Sequence, residues 1–159
     1  MISISKIRFF LFTLTLAIIL GSCNKDNDVI PYNYVNFSID INDSQFVDLI
    51  SIGGSITVNK YTNNIGQGAA GFQENGIIIH AGANEYFAYD RTCPHDYTLD
   101  GSSIQVNINP DNSLFAICPK CSTSYALPAG GNPSSGVGRY PLKNYRTSFD
   151  GQNIWVSNY

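Results

Sequence analysis

Short runs of alternating apolar and polar residues, separated by turn-forming residues, constrain this chain more than any other feature. In residues 35–41, VNFSIDI, the apolar side chains fall at every second position, which is typical of a strand with one buried face. No long segment shows a helical period of apolar residues. The pattern therefore predicts an all-β fold with little helix. Further candidate strands are residues 55–61, 76–82, 85–90, 103–108, 114–117, 144–149 and 152–156.

Turn signals between these runs indicate how the strands are connected. Asn109-Pro110-Asp111-Asn112 and Asp150-Gly151 each lie between two candidate strands and favour antiparallel hairpins. Gly82-Ala83-Asn84 separates two further runs in the same way. Residues 127–138, LPAGGNPSSGVG, predict a long Gly/Pro loop.

The N-terminus is typical of an exported protein. Lys6 and Arg8 begin an apolar run at residues 9–20, which is short for crossing a bilayer and matches the core of a signal peptide. The following Leu-Gly-Ser-Cys23 resembles a bacterial lipobox, in which the cysteine becomes the lipidated first residue of the mature chain. We therefore expect a membrane lipoprotein of the bacterial cell envelope, anchored at Cys23 and facing the periplasm or the cell surface.

Three segments follow from this interpretation. They are a signal peptide at residues 1–22, a lipidated cysteine with a polar tether at residues 23–33, and one β domain at residues 34–159. The whole chain carries a net charge of −3, and removal of the two basic residues of the signal peptide makes it more acidic. The β domain contains no basic stripe, which argues against nucleic-acid binding.

Three cysteines remain after Cys23. Because an odd number of cysteines cannot all pair within one chain, Cys93, Cys118 and Cys121 argue against a simple disulfide framework. Cys93-Pro-His95 and Cys118-Pro-Lys-Cys121 each follow a candidate strand, so the two motifs lie on two loops. Together they offer four soft or borderline ligands, which predicts one metal site.

The Cys118-x-x-Cys121 pair also matches a redox dithiol. Such a dithiol usually begins a helix, whose N-terminus lowers the pKa of the thiol. Here residues 122–131, STSYALPAGG, disfavour a helix because they contain β-branched residues, Gly and Pro. A periplasmic thiol–disulfide oxidoreductase therefore stays only as an alternative to metal binding.

The two motifs and their surroundings resemble those of Rieske-type iron–sulfur proteins. The resemblance covers roughly residues 55–157, from the hairpin before RTCPH to the closing stretch RYPLKNYRTSFDGQNIWV. In that family a Cys-x-His loop and a Cys-x-x-His loop hold a [2Fe–2S] cluster at one tip of a small antiparallel β structure. The resemblance thus implies a Rieske-like β sandwich that binds a [2Fe–2S] cluster through Cys93 and His95 and through Cys118 and Cys121.

This sequence departs from the family pattern at two places. Cys121 stands where the family has its second histidine, so the resemblance implies one iron held by Cys93 and Cys118, and another held by His95 and Cys121. Replacement of one imidazole by a thiolate predicts a potential below the Rieske window of roughly −150 to +300 mV. A disulfide that joins the two loops in some family members is missing, because Thr98 and Lys120 occupy the matching positions.

Thr123 falls where the family often has a serine whose hydroxyl bonds a cluster sulfide. The resemblance implies that Thr123 keeps this role. As a whole it implies an electron-transfer module with an unknown redox partner, rather than an enzyme in its own right. The same ligand set also suits zinc, so a structural or binding lipoprotein with zinc or no metal is the alternative.

Overall fold

A computed structural model describes residues 29–63 and 65–158, which form two antiparallel sheets. The proposed signal peptide and Cys23 lie outside the described residues. The strands are β1 (Asn36–Asp40), β2 (Ser55–Val58), β3 (Ile77–Ala81), β4 (Tyr86–Asp90), β5 (Asn107–Ile108), β6 (Phe115–Ile117), β7 (Ser124–Ala126), β8 (Asn132–Ser135), β9 (Asn144–Phe149) and β10 (Asn153–Ser157). The helices are α1 (Pro94–Asp100) and the 3₁₀ segments Ser44–Ile50, Gly66–Ala69, Phe72–Glu74 and Leu127–Ala129.

The larger sheet has the strand order β1-β10-β9-β4-β3-β2, and the smaller sheet has the order β5-β6-β7-β8. The predicted all-β fold with little helix is confirmed. The predicted hairpins also form, since β3 pairs with β4, β6 pairs with β5, and β9 pairs with β10. Within the two described ranges, no helix has the length and apolar character needed to cross a bilayer.

Strand β3 is buried on both faces and separates two hydrophobic clusters. Ile77 and Ile79 point into one cluster under the larger sheet, whereas Ile78 points into a second cluster. The second cluster joins the two sheets, because it contains Tyr89 of β4 and Tyr125 of β7. Alternation along a strand explains this division, since successive side chains point to opposite faces.

Three elements differ from the sequence prediction. Of the candidate strand at residues 103–108, only β5 pairs with β6. Residues 104–106 pair instead with the segment after β4, where the Cys93 N–H donates to the Ile104 carbonyl and the Val106 N–H donates to the Arg91 carbonyl. The predicted loop at residues 127–138 contains β8, which is an edge strand and therefore tolerates Pro133. Helix α1 is a feature that apolar periodicity did not reveal.

The start of the described chain packs against the domain. Ile30 is buried, and its carbonyl accepts a hydrogen bond of 3.0 Å from Lys143 Nζ. Asn33 Oδ1 lies 3.0 Å from the oxygen of the Tyr145 hydroxyl. This end of the proposed tether is thus fixed to the chain that enters β9.

Candidate functional site

The first loop runs from the end of β4 into α1. Asp90, the last residue of β4, is buried and accepts hydrogen bonds from the Phe72 N–H at 2.6 Å, the Thr92 N–H at 2.8 Å and the Tyr145 hydroxyl at 2.7 Å. Cys93 is the N-cap residue of α1, and its N–H donates to the Ile104 carbonyl at 2.8 Å. These bonds fix the position from which the Cys93 side chain projects.

The second loop is a tight turn between β6 and β7. The Cys118 N–H donates to the Thr123 carbonyl at 3.0 Å, and the Ser122 N–H donates back to the Cys118 carbonyl at 3.0 Å. Ser122 has a φ of 57°, which lets the chain reverse after Cys121. Gly136 packs on this turn, because an added Cβ would lie 2.7 Å from the Thr123 Cα.

The two loops bring three thiols and one carboxylate together. The ligand atoms of Cys93, Asp96, Cys118 and Cys121 all lie within 4.8 Å of one another. The Cys93 and Cys121 sulfur atoms are 3.6 Å apart, and the Cys118 thiol donates to Asp96 Oδ2 at 2.9 Å. Cys93, Asp96 and Cys118 are buried and Cys121 is half-buried, so the group is largely shielded from water.

The three predicted cysteines are therefore adjacent, whereas His95 is not part of this group. His95 is half-buried at the second position of α1, directly before Asp96. The geometry of a helix N-terminus explains the difference. The third helical residue folds back toward the N-cap residue, here Cys93, whereas the second residue points elsewhere.

Two hydroxyl groups contact the sulfur atoms. The Tyr125 hydroxyl lies 3.3 Å from Cys93 Sγ, and Thr123 Oγ1 lies 3.2 Å from Cys121 Sγ. Thr123 Oγ1 also accepts a bond of 2.9 Å from the Gly138 N–H. Both hydroxyl-bearing side chains are fully buried, so each contact is held away from water.

Burial keeps the thiols of Cys93 and Cys118 protonated as long as no cation is bound. Burial raises the pKa of Cys93, and it raises the pKa of Cys118 to about 11. Burial alone would also raise the pKa of Asp96, but hydrogen bonds from the three thiols lower it instead. A thiol of high pKa is a poor nucleophile, which argues against the thiol–disulfide oxidoreductase.

Lys120 connects the second loop to α1. Its ammonium lies 2.7 Å from Asp100 Oδ2, 3.1 Å from Ser102 Oγ and 3.9 Å from Asp96 Oδ1. The bond from Lys120 lowers the pKa of Asp100 to about 2. We call the Lys120–Asp100 contact the cross-loop ion pair. Thr98, the other position of the missing disulfide, donates its hydroxyl to the Pro94 carbonyl at 2.9 Å instead.

A groove of about 630 Å³ lies away from the thiols, lined in part by Val47, Ile52, Ser55 and Leu114. The Ser55 hydroxyl donates to the Ser113 carbonyl at 2.6 Å, so it accepts from Nδ1 of the buried His80 at 2.8 Å. Because the hydroxyl proton of Ser55 points away from the histidine, this Ser–His pair is not arranged as a nucleophile and its general base.

Sequence reasoning missed Asp96 and Lys120 as parts of the site. A signal for Asp96 does exist. Pro94 at the first helical position and Gly101 at the C-cap are typical of a short helix, and such a helix puts Asp96 at the third position, facing Cys93. No local signal marks Lys120, because its partner lies twenty residues earlier in the chain.

No protein-family model matches this sequence, and no curated protein matches it. Among solved structures, the chain is similar to the ferredoxin of carbazole 1,9a-dioxygenase from Nocardioides aromaticivorans IC177, with 14% identity, a TM-score of 0.46, and coverage of 80% of this chain and 100% of that chain. It is also similar to the plasma membrane Rieske protein PetC3 from Synechocystis PCC 6803, with 19% identity, a TM-score of 0.46, and coverage of 79% and 98%. A ferredoxin from Sphingomonas yanoikuyae B1 matches with 15% identity, a TM-score of 0.43, and coverage of 79% and 96%.

The protein from Synechocystis is named a Rieske protein, and Rieske-type proteins are the family that the sequence motifs resemble. At TM-scores below 0.5 the likenesses are distant. The chemistry of this site therefore rests on its own residues.

Proposed function

We propose that this protein is an electron-transfer module that binds a [2Fe–2S] cluster between its two cysteine loops. The observation that carries the proposal is the largely buried group of three free thiols, contributed by two loops that leave different sheets. Thiolates are the usual protein ligands of iron–sulfur clusters. When bound, such a cluster accepts and releases one electron at a time.

The donor set fits this cofactor by its chemistry. Cys93, Cys118 and Cys121 would supply three thiolates, and a neighbouring side chain on α1 would supply the fourth ligand. The Tyr125 and Thr123 hydroxyls lie at hydrogen-bond distance from two of the sulfur atoms. Hydrogen bonds to sulfur are one of the means by which a protein sets the potential of a cluster.

A structural zinc site is the second candidate, and the spacing of the ligand atoms favours it. Around one tetrahedral ion with metal–sulfur distances of ~2.3 Å, sulfur atoms lie roughly 3.8 Å apart. The Cys93 and Cys121 sulfur atoms are 3.6 Å apart, and all four ligand atoms lie within 4.8 Å. The group is thus compact enough for a single ion.

Metal analysis of the full chain separates the two candidates. The protein is expressed in bacteria and extracted in detergent, without air and without chelator. A brown protein with two irons and two sulfides per chain, which bleaches on reduction, supports the cluster. A colourless protein with one zinc supports the structural site. A metal-free protein that forms a Cys118–Cys121 disulfide contradicts both candidates and supports thiol exchange.

The ligand set also predicts the potential of the cluster. A cluster with fewer than two imidazole ligands should have a midpoint potential below about −150 mV, the lower limit for Rieske centres. Potentiometric titration monitored by EPR measures this value. A midpoint well above zero that changes with pH through two ionisations would indicate two imidazole ligands and would contradict the ligand set. The electron donor and acceptor are then separate redox proteins that dock near the two loops.

We also propose that a lipid on Cys23 anchors the module in the membrane of the bacterial cell envelope. Leu-Gly-Ser before Cys23 and the preceding apolar run support this. Cys23→Ser should move the protein from the membrane fraction to the soluble fraction, and mass spectrometry should detect acyl chains only on the unsubstituted protein. Equal partitioning of both proteins would contradict the anchor.

A further inference from the structure

Asp96 occupies the place that the family resemblance assigns to His95. Its side chain is buried, its Oδ2 lies 2.9 Å from Cys118 Sγ, and its carboxylate belongs to the group of four ligand atoms within 4.8 Å. The His95 side chain lies outside that group and is half-buried. Among the His, Cys, Asp and Glu side chains of the described residues, Asp96 is thus the fourth that joins the group of the three thiols.

The carboxylate needs a new partner once a metal binds. A bound metal would displace the proton of the Cys118 thiol to solvent, so Cys118 would no longer donate a hydrogen bond to Asp96. Asp96 would then be a buried anion beside three thiolates, which is unfavourable without a compensating charge. Lys120 does not compensate it fully, since its ammonium is 3.9 Å from Asp96 and only 2.7 Å from Asp100. The bound cation itself is the nearest available positive charge.

We propose that Asp96 is the fourth metal ligand, through a carboxylate oxygen, and that His95 is not a ligand. The inference rests on the proposed metal centre and specifies its ligands as three thiolates and one carboxylate. The local fold supports it, because the third residue of α1 faces the N-cap Cys93 and the second does not. Carboxylate oxygens bind zinc as well as iron, so the inference holds for both candidates.

Two single substitutions on α1 test the proposal. The full chain and its Asp96→Ala and His95→Ala variants are compared by metal content and by competition with a chelator, with zinc as the probe. Asp96→Ala should weaken zinc binding by about 100-fold or more, at the upper end of the loss caused even by residues that only support a ligand. His95→Ala should leave both the stoichiometry and the affinity within about threefold of the unsubstituted protein.

A third variant distinguishes the loss of a ligand from a folding defect. Asp96→Cys supplies a thiolate at the same place and should restore tight binding, with an added sulfur-to-cobalt charge-transfer absorption when cobalt replaces zinc. Failure of Asp96→Cys to bind metal, while far-UV circular dichroism shows an intact fold, would overturn the proposal.

The iron-loaded protein gives an independent readout. Pulsed EPR of the reduced protein should detect no strongly coupled imidazole nitrogen. Such a nitrogen, or loss of metal in His95→Ala with retention in Asp96→Ala, would overturn the Asp96 assignment and leave the metal centre intact. If the unsubstituted chain binds neither zinc nor an iron–sulfur cluster, the proposed function and this inference both fail.

Discussion

At the scale of single residues, Asp90 fixes the approach to the first loop. It is buried at the end of β4, and its carboxylate accepts bonds from two backbone N–H groups and from the Tyr145 hydroxyl. The N–H groups belong to Phe72 and Thr92, so one side chain joins a 3₁₀ segment, the loop and β9. Cys93 follows three residues later, so the hydrogen bonds to Asp90 help to fix the position of Cys93.

Asp90→Ala should lower the free energy of unfolding by about 3 kcal/mol or more, because each buried donor left without an acceptor costs about 1–3 kcal/mol. Urea denaturation followed by circular dichroism measures the change. Asp150→Ala is the control, since Asp150 also accepts two backbone bonds, together with two side-chain bonds, but on an exposed turn. Equal losses in the two variants would show that burial of the network does not matter.

His80 makes stability depend on pH. It is buried, its Nδ1 donates to Ser55, and burial lowers its pKa below the ordinary value. The unfolded chain therefore takes up a proton at a higher pH than the folded chain does. The stabilisation by neutral His80 is complete above about pH 6.5 and is lost progressively as the pH falls below that value.

The melting temperature should therefore fall between about pH 7 and about pH 5, and it should fall less in His80→Gln. Thermal unfolding at both pH values measures the difference. His95→Ala is the control for the only other histidine of the chain. A pH dependence that vanishes in His95→Ala and persists in His80→Gln would refute this assignment.

At the scale of elements, turn residues and the alternation of apolar residues predicted the hairpins, but not a strand whose pairing depends on tertiary structure. The hairpin of β9 and β10 formed as predicted because Asp150-Gly151 favours a tight turn and the flanking residues alternate. The outcome at β5 was harder to predict, because residues 104–106 pair with the segment after β4 and only Asn107–Ile108 pair with β6. Such a change of pairing partner depends on tertiary structure and leaves no periodic signal.

The same distinction applies to the candidate site. The Cys118-x-x-Cys121 spacing is local, and the sequence located all three thiols of the group. The choice between His95 and Asp96 depends on a helix of seven residues that apolar periodicity could not reveal. The contacts of Lys120 depend on how two separate loops approach each other, and no local pattern predicts them.

The cross-loop ion pair should slow metal release without greatly stabilising the fold. Lys120 and Asp100 are both partly exposed, and exposed ion pairs contribute little to stability. Lys120 also lies close to the carboxylate of Asp96, and partners of ligands affect metal retention. The ion pair thus acts on the position of α1 relative to the second loop.

Lys120→Met should release metal to a chelator up to about tenfold faster, while the melting temperature changes little. Release is followed with a chromogenic chelator in stopped flow. Lys60→Met, which breaks the ion pair with Glu74, is the control and should not change the release rate. A similar acceleration in both variants would mean that loss of any surface charge suffices.

At the scale of the whole molecule, the candidate site joins the two sheets. Cys93 leaves β4 of the larger sheet, whereas Cys118 and Cys121 lie between β6 and β7 of the smaller sheet. Cys93 and Cys118 also belong to the hydrophobic cluster that packs between the sheets. Any opening of the smaller sheet away from the larger one therefore separates the thiols.

Metal binding should consequently stabilise the smaller sheet more than the outer edge of the larger one. A ligand that binds only the closed state adds RT ln(1 + [L]/Kd), which is about 2.7 kcal/mol at a hundredfold excess over Kd. Amides whose exchange requires the thiols to separate gain this protection. Amides that open locally at β1, on the edge of the larger sheet, do not.

Hydrogen exchange of the full chain, with and without bound metal, measures this difference segment by segment. Exchange in Phe115–Ile117 and Ser124–Ala126 should slow by about a hundredfold on loading, whereas exchange in Asn36–Asp40 should change little. Chelator treatment should reverse the effect. Uniform slowing along the chain would instead mean that the two sheets open as one cooperative unit, because the thiols would then separate only when the whole domain unfolds.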